Sequence, residues 1–204
     1  MPTTDTMPDI PEDLVRCAAF HGHICPGLVY GYLVAKEAMK LMDIGHASDE
    51  EIVAICENDS CAVDALQVLL GTSTGKGNLI IKVFGKNAYT VLSRSSQRSY
   101  RFVRKIRYEY RGKKKSTFER LDATIDRGTA SENDRWQLKL LKIEDLLGRD
   151  FDEIFTTAEI PYKEPLYTPL ERSEPCVMCG EMTMASKMVV VADRRVCFPC
   201  SQKG

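Results

Sequence analysis

Phe20-His21-Gly22-His23-Ile24-Cys25-Pro26-Gly27 places two imidazoles and a thiol within five residues, beside the glycines and proline of a tight bend. Pro26 suits the first position of a helix, and Leu28, Tyr32, Leu33, Ala35, Met39 and Met42 carry a helical apolar spacing to about residue 42. Cys25 therefore stands at a helix N-terminus, where unpaired backbone N–H groups and the helix dipole favour the thiolate. A second such position follows in Cys56-Glu57-Asn58-Asp59-Ser60-Cys61-Ala62-Val63-Asp64-Ala65-Leu66-Gln67. Residues 52–56 form an apolar run of strand length; Asn58, Asp59 and Ser60 suit the cap of a helix beginning near Cys61, and Asp64 shares the face of Cys61 one turn on.

Two thiols at two helix starts, with histidines and a carboxylate nearby, are the donor set of a three- or four-ligand mononuclear metal site. The plainer alternative is that each Cys is a small buried hydrophobe and each His a satisfied core or surface residue. His46, isolated among turn residues 43–50, is not read as a ligand.

The chain has 204 residues, enough for one domain with a small appendage or for two modest domains, and its 44% hydrophobic content supports a core. A formal net charge of −1 and a pI near 6.3 give no global reason to expect nucleic acid or an anionic membrane as partner. No apolar run reaches the roughly 18 residues of a membrane span, and Met1 to Ile10 has neither the basic start nor the apolar core of a secretory leader. The expected location is the cytoplasm. There, eight cysteines read as metal ligands, reactive thiols and buried residues rather than a disulfide framework.

Residues 11–19 suit a short helix delivering the chain into the histidine motif. After the helix of residues 61–70, Gly71-Thr72-Ser73-Thr74-Gly75-Lys76-Gly77-Asn78 invites comparison with a phosphate-binding P-loop. The spacing is one residue short, however, and Gly77 stands where a Ser or Thr should be. The loop is either an ordinary glycine-rich turn or an anion cradle presenting Lys76 near the cysteines. Residues 79–84 and 88–92, separated by Gly85-Lys86-Asn87, read as a hairpin. Residues 100–110 alternate aromatic and basic residues, as expected of an antiparallel strand with a basic outer face. Residues 116–127 and 131–147 read as helices, the second opening on Ser131 with Asp134 three places on and closing at Gly148. Its broad apolar face, from Trp136 to Leu147, suits packing or dimerisation.

Pro161, Pro165, Pro169 and Pro175 then punctuate a polar stretch, read as a semi-rigid linker over residues 161–173. It separates a metal-binding domain, residues 1–160, from a module at 174–204 in which Cys176-Val177-Met178-Cys179 and Cys197-Phe198-Pro199-Cys200 enclose a strand and a turn. Four thiolates from two such knuckles suit tetrahedral zinc, and so small a module has little core without the metal; a redox dithiol pair or a small iron–sulfur centre are the alternatives. A closed site of four cysteines has no open coordination position and is scaffold rather than catalyst.

The motif at residues 20–27 with Gly31, then Glu57, Cys61 and Asp64-Ala65-Leu66-Gln67, then Gly71 and Thr74-Gly75-Lys76-Gly77-Asn78-Leu79, resembles the E-subunit family of formylmethanofuran dehydrogenase, some of whose members also carry the paired C-terminal knuckles. The resemblance implies an α+β fold: an N-terminal mixed or antiparallel sheet flanked by helices, a four-cysteine zinc ribbon, and homodimers. It also implies a second metal, zinc by preference, held by His21, His23, Cys25 and Cys61, with Asp64 and Lys76 as neighbouring polar groups. The dehydrogenase interconverts carbon dioxide and a formyl group on methanofuran, with its redox chemistry on a molybdenum or tungsten pterin in other subunits, a site nothing here resembles. The chain is accordingly expected to be a stand-alone or accessory metalloprotein of one-carbon or pterin-related metabolism, in the second case part of a larger oxidoreductase complex. In a catalytic role, Cys25 or Cys61 would supply the thiolate, a histidine or Asp64 would move protons and Lys76 would meet an anionic group. The rival class is a regulator that binds nucleic acid or a protein through the ribbon and the basic strand.

Overall fold

The computed structural model describes residues 9–167 and 171–203. Most of the stretch judged for a secretory leader, and residues 168–170 of the Pro-rich segment, lie outside them. The chain divides into two compact units, residues 1–167 and 168–204. Among the described residues no helix is long and apolar enough to cross a membrane.

The first unit is built around β1 (Ile52–Cys56), whose sequence IVAIC is apolar at every position and is buried on both faces. Such a strand belongs inside a sheet, and β1 is paired on both sides. Helix α3 (Ala62–Leu70) carries the chain from β1 to β2 (Leu79–Ile81), which runs parallel to β1 with Ala54 opposite Leu79. β3 (Ala88–Ser93) pairs antiparallel on the other side, with Ala54 opposite Val91. β4 (Arg98–Arg104) and β5 (Phe155–Glu159) extend that side, giving the order β2-β1-β3-β4-β5. The expected mixed α+β architecture is present.

Residues 79–92 do not form a hairpin. β1 lies between the two runs, and the connecting loop is held by Lys82 N–H donating to Cys56 O and Phe84 N–H to Glu57 O. The strand expected over residues 100–110 ends at Arg104. Its basic side chains are locally engaged: Arg101 pairs with Glu57, Arg98 with Glu159 at 2.9 Å, and Arg104 lies over the Tyr30 ring at 5.0 Å.

α1 (Glu12–His21) and α2 (Pro26–Met42) precede the sheet and pack with α3 over a core that includes Leu14, Leu28, Val34, Leu66 and Tyr89. Two glycines set this arrangement. Gly22 ends α1 with φ +89, and at Gly31 a Cβ would fall 2.0 Å from the carbonyl oxygen of Ala62, so only a glycine lets α2 approach the start of α3 this closely. α4 (Lys115–Asp126) and α5 (Glu132–Leu147) pack on each other through Leu121, Leu138 and Leu141, and α5 also reaches α2. Ser131 and Asp134 cap α5 reciprocally as the spacing predicts. A short turn of helix, α6 (Phe151–Ile154), leads into β5. The beginning of the Pro-rich segment is held rather than free, since Arg94 donates to Glu164 and Pro165 O and lies 3.7 Å from the Tyr167 ring centroid.

The second unit consists of two small hairpins, β6 (Ser173–Pro175) with β7 (Met182–Met184) and β8 (Met188–Val191) with β9 (Arg194–Cys197), closed by a single helical turn, α7 (Phe198–Ser201). Ala192 and Asp193, at φ +46 and +61, make the two-residue turn of the second hairpin.

Candidate metal centre

In the first unit, Cys25 is the N-cap of α2, and its Sγ accepts a hydrogen bond from Leu28 N–H at 3.4 Å. Cys61 is the N-cap of α3, at the carboxyl end of β1, the position where α/β crossovers expose functional groups. His21 is the last residue of α1. These three helix ends converge: one ligand atom each from His21, Cys25 and Cys61 lie within 4.8 Å of one another, and His21 Nε2 is 3.9 Å from Cys25 Sγ. A tetrahedral ion with bonds of about 2.0–2.3 Å spaces its ligands by about 3.3–3.8 Å, so small side-chain adjustments complete the set.

Asp64 lies one turn into α3, with its Oδ2 at 2.7 Å from His21 Nδ1. An ionised carboxylate only accepts, so Nδ1 carries the proton and Nε2 presents its lone pair toward the two sulfurs. Gln67 Nε2 donates to the other oxygen of Asp64 at 3.0 Å, fixing the carboxylate in turn. Burial and the neighbouring Cys25 thiol push the Cys61 thiol up. The helix start therefore does not by itself make a thiolate of Cys61; a divalent cation would displace its proton, which makes binding pH-dependent.

His23 stands outside the three-residue group. It is exposed, and its ring stacks on that of His21 at 4.6 Å between centroids. Gly22 between them reverses the chain and sends the second ring outward. Lys76 also points elsewhere: its ammonium lies 3.4 Å from Ala47 O and 3.5 Å from Ser48 O, and it is not among the residues lining the adjoining cleft. That cleft, about 440 Å³, is walled by His21, Cys61 and Asp64 together with Asp59, Ser60, Gln67 and Thr74, and by the apolar Val63, Leu79 and Ile81. Of these, Asp59 and Ser60 read in the sequence as helix caps, yet neither caps α3; their position in the short loop between β1 and Cys61 is the signal that they line a site.

In the second unit, Cys176, Cys179, Cys197 and Cys200 place their sulfurs within 4.8 Å of one another. Cys197 N–H donates to Cys176 Sγ at 3.2 Å. This bond and one from the Cys179 N–H lower the Cys176 thiol to about 6, while hydrogen bonding with Cys197 and burial raise Cys200 to about 12. A cation would complete this cluster of sulfurs, and the four donors can close a tetrahedron.

A family model described as FmdE, Molybdenum formylmethanofuran dehydrogenase operon, matches residues 20–156. This chain belongs to the FmdE family. The match begins at the histidine motif and runs to the start of β5, so it contains both thiol-bearing helix starts. The same fold is found in the crystal structure of a tungsten formylmethanofuran dehydrogenase E-subunit (FmdE)-like protein from Syntrophus aciditrophicus. That protein is 19% identical, with a TM-score of 0.59 over 95% of this chain and 92% of that one. A probable S-adenosyl-L-methionine-binding protein of Archaeoglobus fulgidus is 28% identical over 185 residues, 86% of this chain; the FmdE chain spans about half the length of that relative, 50%. Family, fold and clustered donors together make this an FmdE-like protein equipped to bind metal, with a C-terminal cysteine group that fits a zinc ribbon.

Proposed function

We propose that this chain is a zinc protein of one-carbon metabolism, acting alone or as an accessory to a larger oxidoreductase, with an open site in the first unit and a closed structural site in the second. The observation that carries this reading is the convergence of His21, Cys25 and Cys61 beside a cleft, with Asp64 on the far nitrogen of the histidine. Three protein donors leave a tetrahedral ion one position for a ligand, whereas four leave none. A zinc ion held by the first set supplies Lewis acidity at that position. Cys25 and Cys61 offset the ion's charge, His21 binds as the neutral imidazole, and Asp64 keeps its ring oriented. The one-carbon assignment draws on the family description and on the relative named for S-adenosylmethionine, since both concern carriers of one-carbon units. Cytoplasmic location and assembly as a homodimer belong to the same proposal. Binding of nucleic acid is not favoured, because Arg98, Arg101 and Arg104 have partners within the fold.

Calorimetric titration of the zinc-loaded full chain with a tetrahydropterin and with S-adenosylmethionine tests the assignment. Saturable binding of either, lost in Cys61→Ala, is the expected result. If neither binds, the one-carbon reading fails and only a metal-binding protein remains.

A further inference from the structure

Hydrogen bonding around the cleft restricts the chemistry of its occupant. The Asp64 carboxylate can only accept, so Gln67 must turn its NH2 group toward it, which leaves the Gln67 carbonyl oxygen for the cleft. Asn58 donates through Nδ2 to Lys86 O at 2.6 Å and to the Tyr89 hydroxyl at 3.3 Å, so its Oδ1 is an acceptor. The Ser60 hydroxyl therefore gives its proton to that oxygen, at 2.6 Å, and has only lone pairs to offer a ligand. Asp59 is exposed and makes no ion pair or hydrogen bond with the described residues.

Among the described residues no lysine or arginine lines the cleft, and Lys76 is turned to the carbonyls of Ala47 and Ser48. With a divalent cation balanced by two thiolates, the formal charge of the wall is that of its two carboxylates. The apolar part of the lining is Val63, Leu79 and Ile81.

We infer that the cleft takes a neutral or cationic small molecule that presents N–H donors, an amine or ammonium above all, to Asp59, Gln67 and Ser60, and that it turns away anions such as phosphate esters. This rests on the open metal site proposed above and specifies its ligand class. It also replaces the expectation that Lys76 receives an anionic group. A unit charge a few ångströms from a carboxylate at the protein surface changes affinity on the order of tenfold.

The test uses the full chain loaded with cobalt, whose visible bands report thiolate coordination, with the bands that persist in Cys61→Ala subtracted as those of the ribbon. It is titrated with 2-aminoethanethiol and with 3-mercaptopropionate, which offer the same sulfur donor but tails of opposite charge. The ammonium thiol is expected to bind about tenfold tighter, with the preference shrinking at high salt and in Asp59→Asn. Equal affinities, or a preference for the anion, overturn the inference and leave the site standing. Bands that neither thiol moves, or the absence of bands that Cys61→Ala removes, overturn the open-site reading and the inference with it.

Discussion

Asp64 Oδ2 and His21 Nδ1 stand 2.7 Å apart, joining the first turn of α3 to the last residue of α1 across 43 positions of sequence. This bond selects the histidine tautomer that can bind a metal. Asp64→Ala is expected to weaken metal affinity at the first unit by about 10–100-fold, and Asp64→Asn, whose oxygen can still accept from Nδ1–H, by less. Competition with a calibrated chelator measures both; equal loss in the two variants would mean that the carboxylate's charge, not its hydrogen bond, matters.

Gly31 controls the distance between the two helices whose starts carry the thiols. Since an added Cβ would meet Ala62 O at 2.0 Å, Gly31→Ala is expected to destabilise the chain by about 3 kcal/mol, measured by urea unfolding, and to reduce metal content by displacing Cys61. An unchanged midpoint would show that α2 and α3 have slack at this crossing.

Alkaline pH should loosen the first unit through two thiols that belong to neither metal group. Cys17 and Cys56 are fully buried, and burial raises them to about 11 and about 12. In the unfolded chain a thiol ionises near pH 8.5, so above that pH the unfolded state releases protons that the native state keeps. Stability therefore falls as pH climbs from about 8.5 toward 11, by at most about 1.4 kcal/mol per pH unit for each thiol. Thermal melts between pH 8 and 10.5 should show this slope, and Cys56→Ala should flatten it. Below about pH 7 neither thiol contributes appreciable slope, and neither should be alkylated until the chain unfolds.

The second unit depends on its cation, because its buried apolar set is little more than Val196 and the cysteines themselves. Cys176→Ser is expected to remove one metal per chain and to expose residues 171–203 to limited proteolysis, while residues 9–167 stay protected. Resistance equal to that of the native chain would show that the hairpins hold without metal.

What the sequence made legible is what local chemistry decides. Pro26 and the spacing behind it place Cys25 at a helix start, Ser131 with Asp134 marks the start of α5, and two CxxC pairs mark the ribbon. What it hid depends on contacts between distant segments. The runs at 79–84 and 88–92 look like hairpin partners because both are apolar and flank Gly85, but no local feature shows that β1 inserts between them. His21 and His23 are equivalent by residue type; the positive φ at Gly22 separates them, leaving one among the thiols and the other on the surface. Lys76 sits in a loop fixed by Asn78, whose buried amide donates to Asp49 O, Ile52 O and Gly71 O, and that clamp directs the lysine toward residues 47 and 48.

Metal analysis of purified protein tests the central claim most directly, namely that three helix ends form a metal site separate from the ribbon. The native chain is expected to hold about two zinc ions, and Cys25→Ala and Cys61→Ala about one each, with the ribbon's ion retained. Two ions in both variants would contradict it.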